Sequence, residues 1–192
     1  MIPTGKFGRL FVVFVLTVFI ATFAHAQIKP FRIRVDKISK KETKTVYQDA
    51  SGAYRNQQIN ETVHYHIEVV NFSTTPRPDV KIKWVLLYDS SQATVRGNGE
   101  VNAPAPDLKT LEGERTCSLA VGQRYVFDTG SFDLSSVTSS RPYTTLLSHQ
   151  GGEALGYVVE VLVGDTLAAE EIRPLDTKSR IEKLKASQTE NN

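Results

Sequence analysis

Apolar residues at every second position are the feature of this sequence that most limits its fold. In residues 31–36, 63–69 and 80–84, apolar side chains alternate with polar or charged ones. Because successive side chains of a strand point to opposite faces, this period predicts β-strands with one buried and one solvated face. Residues 85–88 are continuously apolar, as expected where a strand becomes buried between two layers. Trp84 is therefore expected in the core.

The second half of the chain adds further strand patterns. Residues 108–119 and 124–129 predict one strand each. The clearest hairpin joins residues 157–163 to residues 166–172 through Gly164 and Asp165, because glycine can adopt the positive φ angle that a two-residue turn requires.

Three polar segments carry weaker signals. Residues 37–60 predict either a long loop or an edge hairpin. Residues 131–148 are rich in Ser and Thr with little periodicity, and we expect a surface excursion there. Residues 175–192 form a polar C-terminal tail, partly helical or disordered, with a short helix over residues 178–185 that Thr177 would cap.

About seven or eight short strands without a strong long helix predict an all-β protein. We expect an antiparallel two-sheet immunoglobulin-like sandwich over residues 27–174. Cys117 is the only cysteine, so an internal disulfide is impossible and we expect a buried core thiol.

The N-terminal segment has the pattern of a signal peptide. Lys6 and Arg9 precede an apolar run over residues 10–23, and a small-residue motif ending at Ala26 follows. We predict a leader over residues 1–26, cleaved between Ala26 and Gln27. The run is shorter than the roughly 20 residues that a spanning helix needs, which argues against a permanent anchor. Because the rest of the sequence has no second apolar segment of that length, no stable membrane span is expected after cleavage. The protein would be exported to the periplasm, the cell surface or the extracellular space.

Charge limits the choice of partners. Removing the two basic leader residues from the 23 in the chain leaves 21, which equals the 21 acidic residues. A neutral mature chain lacks the positive field on which nucleic-acid binding depends, so we exclude a nucleic-acid partner.

The sharpest candidates for chemistry are His64, His66 and Glu68. Alternate positions of a strand lie about 6.6–7 Å apart on one face, close enough for two imidazoles to share a metal ion. That face is also the one expected to be solvated, and a third ligand would have to come from another strand. The preferred interpretation is a solvated strand face, with no cofactor.

No catalytic residues are predicted. Cys117 has no adjacent base, and Ser148-His149 lies outside any Gly-x-Ser-x-Gly motif. Glu170 and Glu171 are adjacent on a strand and would point to opposite faces, which argues against a paired acid and base. We expect a protein that is not an enzyme.

Four tyrosines leave a sugar-binding alternative open. Tyr47, Tyr54, Tyr143 and Tyr157 could supply a stacking platform for a glycan if the fold brought them together. The competing interpretation is that they are scattered surface tyrosines.

Three segments carry a family resemblance. Residues 62–73, 80–85 and 156–169, including the Asn71-x-Ser73 turn, resemble small exported immunoglobulin-like proteins of Verrucomicrobia-type bacteria. Some members of that group are associated with type IV pilus-like machinery. The resemblance implies a periplasmic or outer-surface sandwich that binds other proteins and has no catalytic residues.

Together these features favour a noncatalytic protein-interaction module of the bacterial envelope, associated with a type IV pilus or secretion assembly. Envelope or pilus-associated proteins would bind its exposed sheet edges, although no binding residue can be assigned from the sequence. The alternatives are a carbohydrate-binding module and a metal-binding protein.

Overall fold

The computed structural model describes residues 29–141 and 144–190. The expected leader with its cleavage site at Ala26 and Gln27, and also Tyr143, lie outside these residues. The described strands are β1 (Phe31–Gln48), β2 (Arg55–Asn71), β3 (Arg77–Asp89), β4 (Thr94–Val95), β5 (Val101–Asn102), β6 (Leu108–Leu119), β7 (Arg124–Asp128), β8 (Phe132–Arg141), β9 (Thr144–Gly151), β10 (Glu153–Val163) and β11 (Thr166–Arg173). A helix, α1 (Thr177–Glu190), follows them.

The strands form two main antiparallel sheets that pack as a β-sandwich. Sheet A has the order β1-β2-β8-β9, and β7 also pairs with β2. Sheet B has the order β11-β10-β3-β6, and β4 and β5 make a separate small hairpin. The all-β prediction is confirmed, as are the strands predicted from alternating residues.

The core lies where the alternating faces of the two sheets meet. Ile67 of sheet A and Ile82 of sheet B are 0% exposed. Burying a side chain of this size stabilises the fold by about 1.5–3 kcal/mol. Trp84 lies in this core as predicted, and its ring centroid is 5.0 Å from that of Phe127 on β7.

Residues 37–60 form an edge hairpin, the second of the two predicted alternatives. The strands β1 and β2 pair along their whole length and turn through residues 49–54, where Gly52 has a φ of 70°. The Asp49 carboxylate accepts a hydrogen bond from the Tyr54 backbone N–H at 3.0 Å. Packing against the core begins only at the partly buried Val35 on β1 and at the buried Val63 on β2. We call residues 37–48 and 55–62 the arm.

Two different strands share the second side of β2. Strand β8 pairs with residues 55–63, and β7 pairs with residues 66–70. Between them, the Tyr65 backbone N–H donates to Thr129 Oγ1 at 2.9 Å, and the Thr129 N–H donates to the Tyr65 carbonyl at 2.9 Å. Thr129 therefore bridges the gap in the ladder.

The expected surface excursion over residues 131–148 is wrong, because most of this segment forms β8 and β9 in sheet A. Phe132 and Leu134 at the start of β8 are buried in the core, but the Ser and Thr residues that follow show no sustained apolar period. There, β2 supplies a ladder of backbone partners. Side chains add cross-strand bonds: Thr62 Oγ1 donates to Asp133 Oδ1 at 2.6 Å, and Ser135 Oγ donates to Asn60 Oδ1 at 3.0 Å.

The C-terminal tail is helical over a longer stretch than predicted. Thr177 does not cap α1 with its side chain, because its Oγ1 is buried without a hydrogen-bond partner and the helix starts at this residue. Ile181 packs against Leu87 and Val158 on the outer face of sheet B. Lys178 contacts both Glu160 and Glu170, and these hydrogen bonds raise its pKa. Among the residues that the structure describes, no helix is both long enough and apolar enough to cross a membrane.

Candidate functional site

The three metal-ligand candidates stand on the outer face of sheet A and are partly exposed. The register places Ile38 opposite His64 and Arg34 opposite Glu68, and neither neighbour is a metal ligand. Within residues 29–141 and 144–190, no group of three or more His, Cys, Asp or Glu residues is arranged to hold a metal ion. His64, His66 and Glu68 are therefore not part of such a group, although Asp128 on β7 approaches His66.

His66 instead makes a side-chain hydrogen bond between strands. Its Nδ1 lies 2.7 Å from Asp128 Oδ1 on β7, and Asp36 is its register partner on β1. Both partners of the pair are substantially exposed. Such exposed pairs stabilise a protein by about 0–1 kcal/mol. This contact joins β2 to β7 on the solvated face.

The residues considered for nucleophilic or acid–base chemistry do not meet. Cys117 is half-buried rather than fully buried, and burial raises the pKa of its thiol, which disfavours the reactive thiolate. His149 lies on β9, in a different sheet. Glu170 contacts Lys178 and Glu171 contacts Arg173, so the two carboxylates point to different surroundings, as predicted.

The described tyrosines separate into two groups. Tyr47 and Tyr54 meet edge to face near the arm tip, with centroids 5.9 Å apart. Tyr157 is buried against Tyr65, with centroids 5.6 Å apart, and burial raises the pKa of Tyr65 to about 12. The register partner of Tyr47 is Asn56, far along β2 from Tyr65. At the usual rise of a strand, that separation corresponds to about 30 Å. No common platform of Tyr47, Tyr54 and Tyr157 exists.

The most extended accessible feature is the outer edge of β1. This strand has 18 residues and is the first strand of sheet A, so one side of its backbone has no neighbouring strand in the described residues. All side chains of residues 37–46 are exposed. The strand carries two acidic residues, Asp36 and Glu42, and more numerous basic ones, Arg32, Arg34, Lys37, Lys40, Lys41 and Lys44. We call this feature the β1 edge.

A polar cavity of about 430 Å³ lies on the arm. Two cross-strand rows contribute to its lining: Lys40, Thr62 and Asp133 form one row, and Glu42, Asn60 and Ser135 form the next. These rows continue the face of β2 that carries His64, His66 and Glu68, since all these β2 positions are even-numbered. We call it the arm cavity.

Sequence reasoning missed the arm cavity although a signal was present. Positions 58, 60 and 62 are polar and continue the alternation of residues 64–68 in phase. The partners on β1 and β8 came from segments interpreted as loops, so the rows could not be assembled from the sequence.

The β4–β5 hairpin packs against the arm tip. Asn56 Nδ2 donates to the Gly99 carbonyl at 2.7 Å, and the Tyr54 hydroxyl donates to the same oxygen at 3.3 Å. Gly99 has a φ of 84°, and a Cβ there would lie 2.4 Å from the Tyr47 ring. Only glycine fits this contact, which fixes the hairpin beside the arm.

No protein-family model matches the sequence, and no curated protein matches it. A structural-genomics target matches 76% of this chain and 89% of its own at 9% identity, with a TM-score of 0.32. A Bordetella pertussis protein described as ApaA matches 76% of this chain and 94% of its own, at 13% identity and a TM-score of 0.28. A protein of the Verrucomicrobium Akkermansia muciniphila matches 74% of this chain and 71% of its own, at 9% identity and a TM-score of 0.24. Scores this low establish neither a shared fold nor a shared function.

Proposed function

We propose that this chain is a noncatalytic, exported protein-interaction module of the bacterial envelope that serves a type IV pilus or secretion assembly. The observation that supports the proposal is the β1 edge. An extended segment of a partner can join such an edge as an additional strand, because the unpaired main-chain groups supply the hydrogen bonds.

The proposal includes an immunoglobulin-like topology for the sandwich. The chain crosses between the sheets after β2, after β6 and after β9, so each sheet contains strands from separate parts of the sequence. Crossings of this kind are typical of immunoglobulin-like sandwiches. In such folds, binding depends on the exposed edges and loops and not on the shared core.

The excess of basic residues on the β1 edge determines the charge of the strand that can pair with it. Lysines on an edge strand hinder unspecific pairing, and like charges placed opposite each other across strands are destabilising. Two copies of β1 would set lysines against lysines. The edge therefore favours a neutral or acidic strand from a different protein.

The hydrogen bond at the start of the β1–β2 ladder shows which backbone N–H groups of β1 point away from β2. The Phe72 N–H donates to the Pro30 carbonyl, so the even-numbered residues of β1 exchange hydrogen bonds with β2. The odd-numbered residues then direct their N–H groups outward, because adjacent residues of an antiparallel strand alternate in this way. Thr43 therefore presents an outward donor, and Lys44 pairs with β2.

The test is a crosslinking pull-down from envelope extracts of the native host, with variants of the β1 edge as baits. Thr43→Pro removes an outward donor without removing a bond to β2, so it should keep the fold and lose the partner. Thr43→Ala is the matched control, because it removes the same side chain and keeps the backbone donor. Thermal unfolding of both variants shows whether the fold is kept.

Three outcomes decide the proposal. Retention of an envelope protein by the wild type and by Thr43→Ala, with loss in folded Thr43→Pro, would support strand addition. Equal retention by folded Thr43→Pro would overturn the use of this edge. Recovery of no pilus, secretion or other envelope protein would overturn the proposed function.

A further inference from the structure

We propose that the arm cavity binds a neutral, polyhydroxylated ligand, namely one or two sugar units of a glycan. The proposal does not depend on strand addition at the β1 edge, although Lys40 and Glu42 belong to both features. It rests on the chemistry of the cavity lining, on the way the lining side chains hold each other, and on the cavity size.

The lining alternates hydrogen-bond donors and acceptors over three adjacent strands. Carboxylates accept, ammonium groups donate, and hydroxyl and amide side chains do both. The lining residues from β1, β2 and β8 include all these types: Lys40 and Glu42, Asn60 and Thr62, and Asp133 and Ser135. A sugar presents hydroxyls that each donate and accept, so it can use such a mixed surface more fully than an ion can.

Several lining side chains are fixed by their neighbours. Asn60 accepts from Ser135 Oγ through Oδ1 at 3.0 Å, which directs its amide nitrogen away as a donor. Gln58 Nε2 donates to Ser135 Oγ at 3.2 Å, which orients its carbonyl oxygen as an acceptor. Side chains held in this way lose less conformational entropy when a ligand binds.

The charge distribution argues against an anionic ligand. Lys40 Nζ already lies 3.6 Å from Glu42 Oε1, and Asp133 adds another carboxylate. Glu61, the third lining carboxylate, already contacts Lys37 and Lys41. A phosphate or carboxylate ligand would be repelled by these acidic groups. A neutral ligand faces no such cost.

The size of the cavity fits a small polar ligand. Its volume is about 430 Å³. Small-molecule sites span roughly 300 to roughly 1000 Å³ and are mostly apolar. Here Leu134 is the apolar lining residue and is itself almost fully buried, so the accessible lining is mainly polar. The cavity therefore suits a ligand whose surface is covered by hydroxyl groups.

The test is saturation-transfer NMR and calorimetric titration of the purified protein with methyl glycosides of glucose, galactose, mannose and N-acetylglucosamine and with their disaccharides. Inorganic phosphate serves as the anionic probe. We expect at least one sugar to bind, and Asn60→Ala or Asp133→Ala to weaken it about tenfold through loss of a hydrogen bond.

Matched controls are Asn102→Ala on β5 and Asp165→Ala in the β10–β11 turn, which change exposed residues of the same types away from the lining. These variants should bind as the wild type does, and thermal unfolding should show that all four variants keep the fold. The proposal is overturned if no sugar probe binds, if phosphate binds more tightly than every sugar, or if the lining and control variants lose affinity equally.

Discussion

The β1–β2 hairpin contains two regions that share the same backbone pairing but are stabilised by different interactions. Near the sandwich, Phe31 on β1 and Val63 and Ile67 on β2 belong to the buried core, and the partly buried Val35 packs against it. In the arm, the same two strands continue in register through mainly polar side chains. The first region is stabilised by apolar burial, and the second by backbone ladders and side-chain hydrogen bonds.

The difference shows that a strand can be specified by its neighbours. Strand β2 lies between β1 and β8 along the arm, so its backbone groups have partners on both sides. Each hydrogen bond contributes only about 0.5–1.5 kcal/mol net, so the arm should depend on many weak contacts while the core depends on a few large side chains.

The largest expected effect comes from Ile67→Ala in the packed region, where Ile67 is fully buried. Truncating such a side chain costs about 2–5 kcal/mol of unfolding free energy because a cavity remains. Ile59 lies on the same strand and the same face but is partly exposed in the arm. Ile59→Ala should therefore cost only about 1 kcal/mol. Denaturant unfolding measures both, and equal losses would show that the arm is packed as tightly as the core.

A smaller effect is expected for Gly113→Ala. Gly113 lies opposite Trp84 in sheet B, and a Cβ there would approach the indole ring to 2.1 Å. Displacing a buried ring should cost about 1–3 kcal/mol. It should also alter the fluorescence of Trp84, the only tryptophan.

The matched control for this substitution is Gly97→Ala, beside the arm. A Cβ at Gly97 meets no atom within 4 Å. A surface change of this kind should alter stability by less than about 0.5 kcal/mol. An unchanged Trp84 spectrum in Gly113→Ala would contradict the packing of Gly113 against the indole ring.

The smallest effect concerns Glu61 in the arm. Burial raises the pKa of its carboxyl, but Lys37, Ser39 and Lys41 outweigh burial and hold the pKa below its ordinary value of 4.5. The ionised form therefore stabilises the arm above pH 4.5, and this contribution disappears as pH falls through the lowered pKa. The two lysines are exposed. Because solvent screens such pairs, we expect about 1 kcal/mol or less.

Hydrogen exchange along β1 and β2 can measure this contribution. At pH 7 the arm amides of Glu61→Gln should exchange faster than those of the wild type. The difference should vanish well below pH 4.5, while amides near Ile67 stay equally protected. A difference that persists in acid would mean that another interaction of Glu61 dominates.

The sequence predicts the packed region well because one-sided burial requires apolar residues at every second position of a strand, and this pattern is visible in the sequence. Strands β2, β3, β10 and β11 carry alternating or continuous apolar residues, and the Gly164 turn has the expected positive φ of 60°. The strands β8 and β9 were missed because the buried Phe132, Leu134 and Val137 are embedded in a run of Ser and Thr residues that shows no sustained apolar period. Their pairing depends on β2, which lies far away in sequence.

Of the candidate surfaces, only the outward face of β2 could be predicted from the sequence. The even-numbered face of β2 was identified through His64, His66 and Glu68, and the structure places that face outward. The arm cavity requires Asp133 and Ser135 from β8, and no local pattern shows which strand will lie beside β2. The β1 edge required knowing that residues 37–60 form a hairpin and not a loop.

Thr129 defines the level at which the arm joins the sandwich on one side of β2. Along β1 the pairing with β2 is continuous apart from an irregularity at Thr45 and Tyr47, but on the other side the change from β7 to β8 leaves Thr129 as the link at Tyr65. Bending of the arm relative to the sandwich should concentrate at this level, because two hydrogen bonds to a single residue yield more easily than a full ladder. A force applied by a partner at the arm tip would act on the hydrogen bonds between Thr129 and Tyr65 before it disturbed the core.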